Sequence, residues 1–428
     1  MIRTMKASLL LVLYLAADHS LALSSRQCTV GQLAGDRLMI GKYTVEELID
    51  ISKAKIKRVD DRQTPATFPH ATECADYSSS RCHNYNEVEP RRWVGGFLPG
   101  LFMQFYDWDI SRCDLEDADA WLERFDKRIG DLSEEPTREG THDVGFKVFY
   151  SYGHGYISTG NEDWYEPIVQ GAHTLALRYS DTVGAIKSWD TENYRYPTNQ
   201  FKWPVIIDNM MNLEMMLWVS EKTGNQTLWD MAVQHSKTTI RDLYRSDSCT
   251  WHVANYDGDN GELLGQYSQP QGLNMTSIWT RGVAFGIHGF TTVYKWTKEE
   301  EFLSQAIKTA DCFISELEKC CENDYVPLFD FQDTEKRPDT SAGAIAASGF
   351  IELSTFVEAE QSVKYVLAAD RILKGLAGSK YMGDEDMDSI LVHGMGDFPV
   401  KDIDVGLIYG DYFFVEALTR FAALEGDR

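Results

Sequence analysis

One carboxylate lies in a stretch of the sequence where a charged group is costly. Asp208 stands in FKWPVIIDNMMNL, with Ile206 and Ile207 before it and Met210 and Met211 after it. An ionised carboxylate in apolar surroundings loses solvation that only a partner can replace, so its pKa should rise. An acid with a raised pKa is suited to proton transfer near neutral pH. We therefore interpret Asp208 as a candidate general acid.

A helix cap is the simpler interpretation of an aspartate near a helix start. Asp143, in THDVG, fits that role well. Asp208 fits it less well, because the apolar run 205–207 precedes it where a solvated cap has polar neighbours. On helical spacing, Asn212 and the flanking Asn209 offer hydrogen-bond partners to Asp208, but no cation is near it in the sequence.

The segments that must position these carboxylates form a rough repeat. Six Gly-containing apolar stretches recur about every 50 to 70 residues, the length of a helix pair with its loops. They begin near Trp93, His142, Asp208, Trp279, Asp339 and Asp404. Between them lie amphipathic stretches such as LEDADAWLERFDKRIGDL and SVKYVLAADRILKGLAG. Because helices apolar on all faces must be buried and amphipathic ones cover them, we predict an all-α fold, an (α/α)6 six-hairpin barrel with minor β-hairpin decorations, over an irregular bundle.

The N-terminus is interpreted as an export signal. Arg3 and Lys6 precede the apolar run 9–17, and the small residues after it suit cleavage. The run is shorter than the ~20 residues that a membrane span needs. We predict a secretory signal peptide over residues 1–24, a secreted extracellular protein, and a single catalytic domain over residues 25–428.

Secretion changes how the eight cysteines are interpreted. An oxidising compartment favours disulfides over metal thiolates, and no CxxC pair is present. The sequence does not reveal which cysteines pair. Asn225 and Asn274 open N-x-Thr tripeptides, which are glycosylation acceptors in exported proteins.

Charge and motifs exclude several function classes. The net charge of −25 argues against nucleic acid and membranes as partners, because no basic stripe is present to neutralise phosphates. The sequence has no GxSxG, HExxH or GxxxxGK[ST] motif and no complete GxGxxG. DGDNGE, at 257–262, departs from the EF-hand pattern and is interpreted as a turn between two strands. We expect no metal, no cofactor and no obligate protein partner.

Motifs in all six stretches resemble those of the unsaturated glucuronyl hydrolases, a family of α/α six-hairpin barrel enzymes. They are WVGGFLPG, HDVGF, IIDNMMNL, QPQG with WTRG, DTSAGAIAASG and DVGLIYGDYFFVEAL. The resemblance extends from about Tyr43 to the C-terminus. It implies removal of a 4,5-unsaturated uronic acid from the non-reducing end of oligosaccharides that polysaccharide lyases leave.

The resemblance also implies a mechanism, the hydration of an enol ether rather than displacement at the anomeric carbon. Asp208 matches the family's general acid and base, which protonates C4 and then helps water to add at C5. Asp143 matches its second essential carboxylate. The implied substrate-binding residues are Trp93, His142, His252, Gln271, Arg281 and Phe285. Arg281 could face the uronate carboxylate as a charge-assisted partner, and Trp93 is expected to stack on the sugar rather than only to pack in the core.

One motif departs from the family's pattern. The family usually reads RGQAW where this chain reads RGVAF, so Val283 replaces an amide and Phe285 lacks the indole N–H. Contacts beyond the reacting sugar are therefore left open. The alternatives are an unsaturated rhamnogalacturonyl hydrolase, a conventional two-carboxylate glycosidase on the same barrel, and a secreted carbohydrate-binding barrel without catalysis. The IIDNMMNL motif and the presence of both aspartates favour the glucuronyl hydrolase.

Overall fold

Helices make up most of the protein. The computed structural model describes residues 38–72, 83–190, 201–400 and 402–426. In chain order the helices are α1 (Val45–Arg62), α2 (Phe97–Arg112), α3 (Leu115–Ile129), α4 (Val144–Val148), α5 (His154–Thr159), α6 (Tyr165–Ala176), α7 (Leu213–Thr223), α8 (Gln226–Asp242), α9 (Thr280–Thr297), α10 (Glu300–Cys320), α11 (Thr340–Ser354), α12 (Ala359–Leu376) and α13 (Ile408–Gly426). A π-helical turn, Phe149–Gly153, joins α4 to α5.

The helices form two concentric layers. The inner layer consists of α2, the pair α4 and α5, α7, α9, α11 and α13, and it closes where α13 packs against α2. An outer helix covers each inner one: α3 packs on α2, α6 on α4, α8 on α7, α10 on α9, α12 on α11, and α1 on α13. The prediction of a six-hairpin barrel is confirmed.

Burial follows the division between apolar and amphipathic segments. In α11 every residue except Glu352 is buried, whereas α3 buries only a stripe that includes Trp121 and Phe125. A helix with no polar face cannot lie on a surface without exposing apolar area, so α11 belongs to the inner wall.

Short strands decorate the barrel. They are β1 (Met39–Ile40), β2 (Tyr43–Thr44), β3 (Phe68–Thr72), β4 (Tyr85–Val88), β5 (Tyr179–Ser180), β6 (Ala185–Ile186), β7 (Trp203–Ile206), β8 (Val253–Tyr256), β9 (Leu263–Tyr267), β10 (Gly394–Asp397) and β11 (Asp402–Val405). The antiparallel hairpin β8–β9 is the one that the sequence predicts, and β7 adds to it as a third strand. The segment 257–262 makes the turn between β8 and β9, and Gly261 adopts a φ of +76° that favours glycine there.

The segment around Asp208 differs from the sequence prediction. Instead of one helix beginning near Asp208, β7 ends at Ile206, a 3-10 helix spans Ile207–Asn212, and α7 begins at Leu213. Val205 and Ile206 are therefore the buried end of a strand that pairs with β8. A short apolar run does not distinguish a buried strand from a buried helix, which is why periodicity alone was misleading.

Part of the chain lies outside the described ranges. The predicted signal peptide, 1–24, and Cys28, Cys74 and Cys82 fall there, and a single domain over residues 25–428 stays a prediction. Within the described ranges, Cys249 lies beside Cys312, with Cα atoms 5.6 Å apart, and Cys320 lies beside Cys321. None of the described helices is both long and apolar enough to cross a membrane.

Candidate active site

The openings of the inner helices meet at one end of the barrel. Trp93 contacts Tyr409, at the start of α13, with ring centroids 4.7 Å apart. The Arg281 guanidinium lies 5.3 Å from the Tyr409 ring centroid and 4.8 Å from that of Trp279. Trp279 in turn contacts the imidazole of His252, at 4.6 Å. Side chains from distant parts of the chain therefore form one continuous cluster.

Asp208 joins this cluster through His252. It lies in the first turn of the 3-10 helix, with 18% of its side chain exposed. Its Oδ1 is 3.7 Å from His252 Nε2, and that oxygen has no hydrogen-bond partner among the described residues. The carboxyl is thus mostly enclosed and lightly tethered, with one side open to a ligand.

The asparagines next to Asp208 serve other partners. Asn212 Oδ1 accepts a hydrogen bond from the Phe146 N–H at 2.8 Å, and the Asn209 amide lies 3.3 Å from His235 Nε2. The expectation that these asparagines hydrogen-bond Asp208 needs correction, because the 3-10 turn directs them into the core, where both are fully buried.

Asp143 lies at the N-cap position of α4, but its side chain does not cap the helix. Its carboxylate faces His142, with Nε2 and Oδ1 3.2 Å apart, and accepts a hydrogen bond from the Thr141 hydroxyl. About a quarter of the side chain, 24%, is exposed. The carboxylate is therefore held from one side and open on the other, and the capping interpretation does not account for it.

Ser188 holds the two aspartate-bearing segments together. The His142 N–H donates to the Ser188 carbonyl at 2.8 Å, and the Ile206 N–H donates to the Ser188 hydroxyl at 2.8 Å. Asp143 directly follows His142, and Asp208 lies two positions after Ile206. This bridge fixes the two carboxylates on neighbouring parts of the barrel opening.

The environments of the two carboxylates separate their acidities. Burial raises the pKa of Asp208 to about 6, while His142 and Arg281 partly oppose that shift and the charge of Asp143 adds to it. Burial alone would raise the pKa of Asp143 too, but His142 and the Thr141 hydroxyl hold that pKa below its ordinary value. Near pH 6 one carboxyl is therefore ionised while the other still carries its proton for part of the time.

His252 is a neutral neighbour of Asp208. Burial, aided by the charges of Arg281 and His142, lowers the pKa of His252 to about 3. Its ring also contacts the backbone of Gln269, in the loop that carries Gln271. That loop is fixed by the Leu273 N–H, which donates to the buried Asp330 carboxylate at 3.0 Å. Gln271 lies in this loop with its side chain partly exposed, and its contact with substrate stays a prediction.

Arg281 is buried at the start of α9, with only 4% of its side chain exposed. Its guanidinium forms an ion pair with Asp339, with Nη1 and Oδ2 3.0 Å apart. It also donates to the carbonyls of Met395 and Gly396 on β10. The cation that acts on Asp208 thus comes from a distant part of the sequence and is itself part of a network.

Two predicted aromatic contacts have different outcomes. Trp93 is only partly buried and packs edge-on against Phe97 and Phe146, so one part of the ring is in the core and another is accessible. Phe285 has 1% of its surface exposed and packs between Phe146 and Trp279. A ring without an accessible face cannot stack on a sugar, so the prediction that Phe285 binds substrate is corrected: it supports Trp279 from behind.

The sequence interpretation missed three residues of this cluster as site residues, namely Trp279, Asp339 and Tyr409. A signal for Asp339 was present, since it too is an aspartate at the opening of an apolar segment. Tyr409 and Trp279 gave no such signal, because aromatic residues in apolar segments usually belong to the core. Across the described ranges, no group of three or more His, Cys, Asp and Glu residues is arranged to hold a metal ion.

Comparison with known proteins identifies relatives along most of the chain. An unsaturated glucuronyl hydrolase from Formosa agariphila is 34% identical over 342 residues, covering 78% of this chain and 81% of the relative. An unsaturated chondroitin disaccharide hydrolase from Streptococcus pneumoniae is 26% identical over 379 residues, covering 85% and 86%. A solved unsaturated glucuronyl hydrolase specific for heparin matches with a TM-score of 0.79 and 30% identity, covering 89% of this chain and 97% of that one. No family model matches.

Proposed function

The chain belongs to the unsaturated glucuronyl hydrolase family, and from that premise we propose that Asp208 is its general acid and base and Asp143 its second essential carboxylate. The protein is a glycoside hydrolase that removes a 4,5-unsaturated glucuronic acid from the non-reducing end of oligosaccharides. Such sugars carry a C4=C5 double bond conjugated with the C5 carboxylate, and they arise when lyases cut uronic-acid polysaccharides.

The proposed reaction begins with proton transfer to carbon. Asp208, in its protonated form, gives its proton to C4, and positive charge develops at C5 and the ring oxygen. The Asp208 carboxylate then takes a proton from a water molecule, whose oxygen bonds to C5. The product is a hemiketal at C5, which opens and lets the neighbouring sugar leave from C1.

One observation carries this proposal: Asp208 is enclosed at the barrel opening, and burial raises its pKa to about 6. A carboxylic acid with an ordinary pKa is almost wholly ionised near neutral pH and has no proton to give. The raised pKa lets Asp208 act as acid and as base in turn at mildly acidic pH.

Asp143 supports the reaction by staying ionised. Its negative charge helps to keep the proton on Asp208, and it is proposed to stabilise the positive charge that develops on the ring. His142 fixes the Asp143 carboxylate through the 3.2 Å contact. His142, His252 and Gln271 are the proposed hydrogen-bonding residues for the sugar, Trp93 is the proposed stacking residue, and Arg281 is proposed to bind the C5 carboxylate.

The experiment that tests this function follows the conjugated double bond. Unsaturated disaccharides from chondroitin and from heparin are incubated with the protein, and ultraviolet absorbance and reducing sugar are recorded. These two substrates are chosen because the relatives are named for chondroitin disaccharides and for heparin. We expect absorbance to fall while reducing sugar appears.

Asp208→Asn is the decisive variant. Asn keeps the shape of the side chain but has no proton to give, so we expect turnover to fall by at least about 1000-fold, near the usual range for general acid catalysis. Glu134→Gln, at an exposed position in the connection between α3 and α4, is the control and should retain full turnover. Cleavage of saturated glucuronides alone, or an Asp208→Asn protein that keeps its activity, would reject the proposal.

Export of the protein is a separate part of the proposal. The apolar run 9–17 in the predicted leader, the proximity of Cys249 to Cys312 and the glycosylation tripeptides support a secreted glycoprotein. Asn274 is exposed and Asn225 is partly exposed, so both are accessible to a glycan. After expression in a eukaryotic secretory host, the culture medium should contain a protein that begins near residue 25. Its apparent mass should decrease on glycosidase treatment. A product that stays in the cell with its leader intact would contradict export.

A further inference from the structure

Arg281 has five N–H donors, and the protein uses three of them. Nη1 donates to Asp339 Oδ2 at 3.0 Å and to the Met395 carbonyl, and Nη2 donates to the Gly396 carbonyl at 2.9 Å. The described contacts include no partner for Nε–H or for the second hydrogen of Nη2. The carbonyls of Met395 and Gly396 lie against the guanidinium edge that Nη1 and Nη2 form. The two unused hydrogens, on Nε and Nη2, then point outward in parallel along a different edge of the same plane.

The remaining edge matches a carboxylate. Two parallel N–H donors in a fixed plane bind both oxygens of a carboxylate at once, and a site that excludes water strengthens the contact. The guanidinium carbon lies 4.8 Å from the ring centroid of Trp279 and 5.3 Å from that of Tyr409, so two aromatic rings flank the cation. An approach along the unused edge lets an anionic group reach two N–H donors at once.

Asp339 fixes the position of this edge. Its side chain is fully buried, and its Oδ1 accepts hydrogen bonds from the Ser341 N–H at 3.0 Å, the Ser341 hydroxyl at 2.6 Å and the Met395 N–H at 3.3 Å. The carboxylate is thus anchored to the first turn of α11 and to β10 before it meets Arg281. An anchored partner holds the guanidinium in one orientation, whereas a mobile partner would allow several.

We propose that Asp339 is a positioning residue, which holds Arg281 so that its free edge receives the carboxylate of the unsaturated uronate. The inference rests on the proposed function and goes beyond it, since Asp339 acts on the substrate only through Arg281. It also assigns a role to β10, where the Met395 N–H donates to Asp339 and the Met395 carbonyl accepts from Arg281.

Asp339→Asn tests the proposal. The amide keeps the volume of the side chain but removes the charge and weakens the hold on Nη1. A misplaced Arg281 loses a charge-assisted contact that is made in both the ground state and the transition state, so KM should rise about 10- to 100-fold with little change in kcat. Ser354→Ala is the control, since Ser354 is a buried hydroxyl at the far end of the same helix and bonds only its own turn. Its KM should equal that of the wild type.

A double-mutant cycle separates positioning from a general loss of structure. Arg281→Gln alone should raise KM, and adding Asp339→Asn to it should raise KM no further, because the residue through which Asp339 acts is already gone. The double variant also leaves no unpaired buried charge, so it should fold even where Asp339→Asn alone does not. If the KM effects of Arg281→Gln and Asp339→Asn multiply in the double variant, the proposal is overturned. A lowered kcat with an unchanged KM in Asp339→Asn would overturn it too. A wild-type protein without activity on the unsaturated disaccharide would overturn the proposed function instead, and this inference with it.

Discussion

At the scale of single residues, the central feature is a pair of carboxyls with opposite pKa shifts. Burial raises the pKa of Asp208 to about 6, and the contacts with His142 and Thr141 lower the pKa of Asp143 despite its burial. Sequence spacing could indicate that Asp208 was unusual, because its apolar neighbours are adjacent in the chain. It could not indicate which side chains oppose the shift, because His142 and Arg281 come from other segments of the barrel.

The pH profile follows from the raised pKa of Asp208. The reaction needs the protonated acid, so kcat/KM should fall about tenfold for each pH unit above about 6. In Asp143→Asn, the residual kcat/KM should begin to fall at a lower pH than in the wild type, because the charge of Asp143 helps to raise the pKa of Asp208. Asp230 is an exposed carboxylate on α8, and Asp230→Asn should leave the pH at which kcat/KM begins to fall unchanged. A profile that stays flat to pH 8 would exclude Asp208 as the acid.

The same pKa shift should make the active site a cost to stability. The folded-state pKa of Asp208 is raised from 3.8 to about 6, so ionising it disfavours the folded state as pH rises through that interval. Asp208→Asn should therefore raise the free energy of unfolding at pH 8 by up to about 3 kcal/mol. The difference from wild type should vanish only below the unfolded-state pKa of 3.8, at about pH 3, where Asp208 is protonated in both states. Denaturant unfolding at the two pH values measures it, and a destabilised variant at pH 8 would contradict the account.

At the scale of elements, the site depends on the close approach of α4 to the 3-10 helix that carries Asp208. A Cβ on Gly145 would lie 2.6 Å from Asn212 Oδ1 and 2.7 Å from the Asn212 Cα. The second of these atoms is backbone and cannot rotate away, so Gly145→Ala must push the two elements apart.

Gly145→Ala should therefore lower both stability and turnover. Overpacking of this kind costs about 1–3 kcal/mol, and the displacement separates Asp143 from Asp208. Gly130→Ala is the matched control, since a Cβ there meets nothing within 4 Å and the backbone is helical. We expect the control to be neutral or slightly stabilising. Thermal unfolding and initial rates measure both variants, and equal behaviour of the two would refute the close-packing argument.

The sequence predicted the two layers of helices because that distinction lies in the composition of each segment. A helix such as α11, apolar on every side, can only be an inner one, and the stripe on α3 can only face inward. The strand β7 escaped prediction because its partner β8 lies some 50 residues later in the chain, and pairing over that distance leaves no local pattern. The burial of Phe285 escaped for a similar reason: an aromatic residue on an inner helix can face the site or the core, and only the packing of Phe146 and Trp279 decides which.

At the scale of the whole molecule, a strongly acidic protein acts on an acidic sugar. The net charge of −25 should repel an anionic oligosaccharide over long distances, while Arg281, the proposed partner of the C5 carboxylate, should attract it only at contact. Long-range repulsion is screened once the Debye length shrinks from about 30 Å at 0.01 M salt to about 10 Å at 0.1 M. The two effects can therefore be separated by ionic strength.

We expect kcat/KM to rise a few-fold as sodium chloride is raised from about 0.01 M to about 0.1 M, because screening weakens the repulsion. A sulfated disaccharide, with more negative charge, should gain more than its unsulfated counterpart. Initial rates at low substrate concentration measure the effect. A steady fall of kcat/KM over the same range would show that a positive surface dominates the approach of the substrate.

The most direct test of the account is where the transferred proton goes. The reaction is run in deuterium oxide with an unsaturated disaccharide, and the released uronic acid is examined by NMR at the earliest measurable times. If Asp208 delivers the proton from one face of the ring, C4 should carry a single deuterium in one configuration, and Asp208→Asn should form no such product. Release of the sugar with no deuterium at C4, or with both configurations in equal amounts from the first turnovers, would contradict an enzyme-held acid at Asp208.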